Sequence, residues 1–397
     1  MPRPLRPDDL YDLELITDAA LAPDGQRVAY VVSTSDREAD EVRTAIHIVD
    51  RSGGAGRRLT DPEAGATAPR WSPDGTTLAF LRDEQVWLLP VDGGEARRLT
   101  DLPLGAGPAS WSPDGAALLV IAARHADGDA APPKEELAKA PIVVDELFHK
   151  LDGAGRFGAV RRQVARVDVV SGEVTWVTSG GASVVSAAWS PDGASIAFAR
   201  SHREGRDLDM ASGVWVVAAD GSGDPTGVLE ADGDVVWVGY TPDGAELLHV
   251  VSAVAISGEP HRLAAVPVGG GAPRLLTDDL DRNVVAPLLG YAGVEPHVVG
   301  DGVLFGVEDR GDVALLRVPL AGGHAEPVLA GEGRRVTSLT VSADGAWVAV
   351  LDVSPGRVGD VTVARSDGSE QRRVTEHHHA TWLAGVELHA YQRRTFT

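Results

Sequence analysis

The 397-residue chain has no cysteine, which excludes disulfides, thiolate catalysis and cysteine-held zinc or iron–sulfur centres. Basic residues are scarce: 36 Lys and Arg stand against 58 Asp and Glu, a formal net charge of −22. A nucleic-acid surface needs clustered cations to neutralise phosphates, and this balance argues against one. Long apolar runs are missing too. Stretches such as Leu118 to Ala123 fall far short of the ~20 residues of a membrane helix. The opening Met1-Pro2-Arg3-Pro4-Leu5 carries positive charge with no apolar segment behind it, so no export signal is read there. A cytoplasmic protein with no membrane and no nucleic-acid partner is the expectation.

What is present is a repeat. Trp71-Ser72-Pro73-Asp74-Gly75 recurs as Trp111-Ser112-Pro113-Asp114-Gly115 and as Trp189-Ser190-Pro191-Asp192-Gly193. Relaxed copies stand at Pro23-Asp24-Gly25, Pro242-Asp243-Gly244 and Ala343-Asp344-Gly345, with a degenerate one at Gly300-Asp301-Gly302. Seven anchors therefore lie at Asp24, Asp74, Asp114, Asp192, Asp243, Asp301 and Asp344.

Each anchor is followed by two alternating apolar runs, a glycine-containing turn and a short close ending in Leu-Thr or Val-Thr. Examples are Leu59-Thr60, Leu99-Thr100, Val177-Thr178, Leu276-Thr277 and Val374-Thr375. Asp-Gly tolerates the positive φ of tight hairpins, so each unit reads as four short antiparallel strands. Helical periodicity is confined to a turn or two near Pro7 to Leu13. Such units at these intervals predict an all-β, seven-bladed β-propeller. Each blade is complete in its own stretch of sequence, so no closing blade shared between the termini is expected. Trp71, Trp111 and Trp189 share one strand position, Trp87 and Trp215 another, and both sets read as blade-to-blade packing.

One interval is long. Asp114 and Asp192 are 78 residues apart, which places an insert in blade three over about 122–163. Its first half, to Pro141, is polar and contains proline. Its second half, Ile142 to Gly153, is too apolar for a free loop. An insert of this length in a compact repeat reads as a functional loop or a disordered one.

The repeat syntax resembles the propeller half of prolyl oligopeptidase family serine peptidases, and within it the acylaminoacyl peptidases and dipeptidyl aminopeptidase-like enzymes. The order of the repeats carries the resemblance, together with Pro7-Asp8-Asp9-Leu10 and Phe148-His149-Lys150-Leu151-Asp152-Gly153. So does the tail from Val374 through His377-His378-His379 to Phe396. The resemblance implies a propeller over 1–376 and a connecting segment over 377–397 that would lead into an α/β-hydrolase domain. That domain, in the same longer protein or in a separate chain, is the implied partner, with short peptides as ligands. The implied role is to gate access and orient short or acylated peptides.

The family's chemistry needs a Gly-x-Ser-x-Gly elbow, whose small residues permit the turn that exposes the nucleophile. No serine of this chain has glycine at both the −2 and +2 positions; Ser183 and Ser195 have it at −2 only. The chain alone is therefore expected to be catalytically inactive, with no catalytic residue of its own.

Other motifs are weaker. Gly153-Ala154-Gly155-Arg156-Phe157-Gly158 is followed by a strand, where a dinucleotide site requires a helix, so it reads as a turn and no cofactor is expected. Asp279-Leu280-Asp281 lacks the later EF-hand positions. His377-His378-His379 alternates direction along an extended chain, so no metal site is expected. The candidates for contact with substrate or the partner domain are Asp145, Glu146, His149, Arg156, Arg161 and Arg162 in and beside the insert. The alternative reading is a stand-alone TolB-like or WD-repeat-like scaffold that binds protein or peptide.

Overall fold

A computed structural model of the chain describes residues 3–126, 128, 134–137, 139–142, 144, 147, 149–151, 155–156, 158–201, 211–254, 258–287, 293–354, 357–376, 385–387 and 394. Within them lie seven four-stranded antiparallel units in sequence order. Blade 1 is Glu14–Leu21, Arg27–Asp36, Glu41–Asp50 and Arg57–Arg58. Blades 2, 4 and 5 repeat that order over 67–98, 184–230 and 235–275. In blade 3 the second and third strands are long, Ala117–His125 and Val160–Asp168, and pair residue for residue over their whole length. The insert thus projects from the loop between them.

Blade 6 is the degenerate unit. Its first strand is broken into Asn283–Val284 and His297–Val299, both paired to Gly302–Asp309. Blade 7 is Arg335–Val341, Trp347–Val353, Asp360–Arg365 and Arg372–Arg373. A single parallel residue pair, Val313 with Arg335, joins these last two blades.

The repeated pentapeptide is a self-satisfied turn. In blade 2, Ser72 Oγ donates to Asp74 Oδ1 at 2.5 Å and accepts the Thr77 N–H at 3.0 Å. Asp74 Oδ1 also accepts the Thr76 N–H at 3.1 Å. Gly75 has φ +70°, the left-handed region that favours glycine. Ser112, Ser190, Thr241 and Ser342 repeat the hydroxyl–carboxylate bond. The same bonds hold Asp74, Asp114, Asp192, Asp243 and Asp344 below the usual carboxylate range, the hydroxyl being the largest cause.

The closing threonines also have a structural task. Thr60, Thr100, Thr178, Thr277 and Thr375 each use Oγ1 to accept a backbone N–H of the third strand, at 2.8–3.1 Å. The ladder would otherwise leave that donor buried and unpaired. Behind two of them sit buried amides. Thr100 Oγ1 donates to Gln85 Oε1 and Thr178 Oγ1 to Gln163 Oε1, at 2.8 and 2.7 Å.

Apolar packing closes the ring. The buried side chains fall into seven clusters, and each one spans two successive blades. One of them joins Leu21, Val28 and Tyr30 of blade 1 to Ala349, Val361 and Val363 of blade 7. No strand is exchanged across that seam among the described residues. The tryptophans lie in the seams as expected. Trp71, Trp111 and Trp189 donate their indole N–H to Ala20, Arg70 and Ser110 carbonyls of the preceding blade, at 2.9, 3.0 and 3.2 Å.

Strand direction defines two faces. The Asp-Gly turns occupy one face. The other carries the loops between second and third strands and the blade-to-blade connections, including the insert. Because each blade has four strands, the chain enters blade 1 and leaves blade 7 on this insert face.

Candidate functional site

Several features gather on the insert face. The chain approaches it through a 3-10 turn, Pro7–Asp12, where the sequence pointed to a turn or two. Asp9 is buried there, and its carboxylate takes the Arg3 guanidinium at 2.5 and 2.8 Å and the Arg6 N–H at 2.6 Å. The Arg3 hydrogen bonds, then the Arg6 one, hold its pKa down at about 2. Arg3 and Pro4 pair in parallel with Val386 and Glu387, so the two ends of the chain meet on this face.

The insert holds one helical turn, Lys134–Leu137, and a short hairpin in which Lys150 pairs with Arg156. Of its apolar half, the described Ile142, Val144 and Leu147 are exposed, Leu147 by 71 %. Apart from Val170 and Leu275, the exposed large apolar side chains of the described residues all belong to this face, Leu5, Leu10, Val42 and Val254 among them. Grouped exposure of this kind marks a contact surface where scattered single residues would not.

The candidate residues separate by what they touch. Asp145 and Glu146 lie outside the described residues, as do Phe148, Phe157 and the histidine run. His149 is partly buried, with Nδ1 3.0 Å from the Leu147 carbonyl, and Arg156 is exposed. Arg161 is a staple: Nη1 donates to the Gly158 and Val160 carbonyls at 2.6 and 3.0 Å, and Nε to Gly181 at 2.7 Å. It ties the root of the insert to the connection between blades 3 and 4. Arg162 receives no such use. Its backbone N–H donates to Ser183 Oγ at 3.1 Å, while burial alone pulls its guanidinium below the ordinary arginine pKa.

Sequence reasoning missed a second set of arginines on the same face. Arg82 lies over Phe80 and Trp87, Arg124 over Trp176, and Arg200 over Phe198 and Trp215, at 4.6–5.5 Å from the ring centres. A signal was available. Arg82 and Arg200 occupy the same repeat position, two residues after a buried phenylalanine.

Nearer the axis, Arg70 Nη1 meets Asp18 Oδ2 at 2.8 Å, joining the first strands of blades 1 and 2. Burial opposes the Arg70 charge, but Asp18 outweighs it and the pKa is raised. Asp279 lies 3.3 Å from His324 Nδ1, as a charged loop would. Among the described residues no group of three His, Asp or Glu converges as a metal site, and no helix is long and apolar enough to cross a membrane.

Residues 22–111 match the family model of the dipeptidyl peptidase IV N-terminal region. The uncharacterized peptidase YuxL of Bacillus subtilis (strain 168) is 34 % identical over 218 residues, 53 % of this chain and 33 % of that protein. The chain resembles the propeller part of prolyl oligopeptidase family peptidases. Its fold is also that of solved propellers at lower identity. The Pyrococcus horikoshii acylaminoacyl peptidase superposes with a TM-score of 0.70 at 17 % identity, over 93 % of this chain and 53 % of that one. The β-propeller domain of the Trilobed protease from Pyrococcus furiosus gives 0.64 at 17 % identity, over 94 % and 98 %. That domain is described as having an open velcro topology, which agrees with the packed, unshared seam between blades 1 and 7. The match spans a third of the curated relative and about half of the acylaminoacyl peptidase structure.

Proposed function

We propose that this chain is the substrate-gating propeller of a cytoplasmic serine peptidase that acts on short or acylated peptides. An α/β-hydrolase domain, in the same longer protein or in a separate chain, docks on the insert face and supplies the triad. The observation that carries this reading is the grouping of both chain ends, the insert and the exposed apolar side chains on one face. A partner domain joined to the chain end has to approach that face. The zero cysteine count fits a reducing compartment.

In this role the propeller excludes folded proteins and presents peptides to the hydrolase. His149, Arg156, Arg161 and Arg162 lie in or beside the insert, where they would contact peptide or the docked domain. Asp145 and Glu146 belong to the same proposal. A native-mass measurement of the 397-residue chain, with and without a candidate α/β-hydrolase domain, tests it. A one-to-one complex that hydrolyses aminoacyl or acyl-aminoacyl chromogenic substrates is expected. Failure to associate, or hydrolysis by the propeller alone, would overturn it.

A further inference from the structure

Arg162 and Arg200 project from the two sides of one seam. Along the third strand of blade 3, Arg162 shares its side with Val164, and Val164 packs in the cluster between blades 3 and 4. Along the second strand of blade 4, Arg200 shares its side with Ile196 and Phe198, which belong to that same cluster. Side chains two apart on a strand project to one side, so both guanidiniums sit above one apolar wall pair. The connection 178–183 sets them at the same height. Arg162 N–H donates to Ser183 Oγ, while Arg200 is the register partner of Val184 and gives Nη1 to the Ser179 carbonyl at 3.2 Å.

Among the described residues neither charge is compensated. Burial pulls both pKa values down, and no carboxylate among the described residues pairs with either group. Half-buried cations without counter-ions are costly unless a ligand supplies one. Arg200 is also fixed in direction by its stacking on Phe198 and Trp215, which reduces the entropy lost when it binds. Arginine forks match carboxylates in geometry as well as in charge.

We propose that Arg162 and Arg200 form a carboxylate-binding subsite for peptides at the insert-face mouth of the seam between blades 3 and 4. The carboxylate can come from a peptide C-terminus or from an acidic side chain. The subsite deepens the substrate-gating reading, on which its use in turnover rests, but binding itself requires only this chain.

Calorimetry on the 397-residue chain tests the proposal with three probes: acetyl-Ala-Phe, its C-terminal amide, and acetyl-Ala-Glu amide. The free acid is expected to bind about tenfold or more tighter than the amide, the loss expected for a charge-assisted contact. Binding by acetyl-Ala-Glu amide would identify side chains as a second source; its failure to bind would confine the subsite to C-termini. Arg162→Gln and Arg200→Gln should each abolish the preference, and Arg162→Lys should retain part of it. Should Arg200→Gln fail to fold, Arg162→Gln carries the test, because Arg162 packs on no aromatic ring among the described residues. Equal affinity for acid and amide, no binding of the acid, or a preference that survives Arg162→Gln would overturn the proposal. A carboxylate preference in a chain that joins no hydrolase would sink the gating role and leave the subsite standing.

Discussion

The backbone N–H of Leu21 donates to Thr340 Oγ1 at 2.9 Å, joining the first blade to the seventh across 319 residues. Around it, the Ala343 N–H reaches the Pro23 carbonyl at 2.8 Å and Arg372 Nη1 reaches that of Ser52 at 2.7 Å. With no strand exchanged among the described residues, these bonds act beside one apolar cluster, the Ser338 hydroxyl at Asp18 and Ala19, and Arg51 stacked on Trp347. The seam is therefore the place where single substitutions should be felt by the whole ring.

Thr340→Val keeps the shape and removes the acceptor. The Leu21 donor is buried, so stability should fall by about 1–3 kcal/mol. A shift in the urea midpoint without a change in slope checks this.

The threonine–glutamine pairs should be coupled. Thr178→Val or Gln163→Leu alone strands a buried partner and should cost about 1–3 kcal/mol each. The double variant should cost less than their sum, because the Thr178 hydroxyl and the Gln163 carbonyl are removed together; only the Val164 N–H, whose acceptor Thr178 also is, stays unpaired as in Thr178→Val alone. A double-mutant cycle by denaturant unfolding measures the coupling, and simple additivity would count against it.

Acid should act through His249. It is 1 % exposed on the second strand of blade 5, and burial pushes its pKa down to about 4. The unfolded chain takes up this proton near pH 6.5 and the folded chain does not until about pH 4. Stability present above pH 6.5 is thus lost as pH falls toward 4, by at most about 3 kcal/mol. His249→Phe should flatten the profile in that window, read as melting temperature against pH.

Docking should depend on the exposed part of the insert. Leu147→Glu and Ile142→Glu should weaken association with a hydrolase domain about tenfold, the order of one interface anchor. Melting temperature should stay unchanged, since 71 % and 47 % of these residues are already in water. Sedimentation or native mass spectrometry of the mixture reads the outcome.

The repeat made most of the fold legible. Trp-Ser-Pro-Asp-Gly is a local device whose hydrogen bonds close within six residues, so its chemistry is written in adjacent positions. The Leu-Thr closes were equally visible as a pattern, yet their purpose was not. Thr100 acts on Val86, fourteen residues away, and only strand pairing brings the two together. The insert shows the same limit: Arg161 and Arg162 are neighbours in sequence, but one is consumed by carbonyls and the other is not. Their alternate projection from one strand separates them.

By itself, then, the sequence determined the all-β class, seven blades, the position of the insert and the lack of a nucleophile elbow. Those follow from short-range turn chemistry and strict periodicity. Only the tertiary structure decided how the ring is fastened, which face gathers the chain ends, and which arginines have no counter-ion among the described residues. Each of these depends on contacts between distant repeats. Sequence distance carries no information about such contacts until the blades are packed side by side.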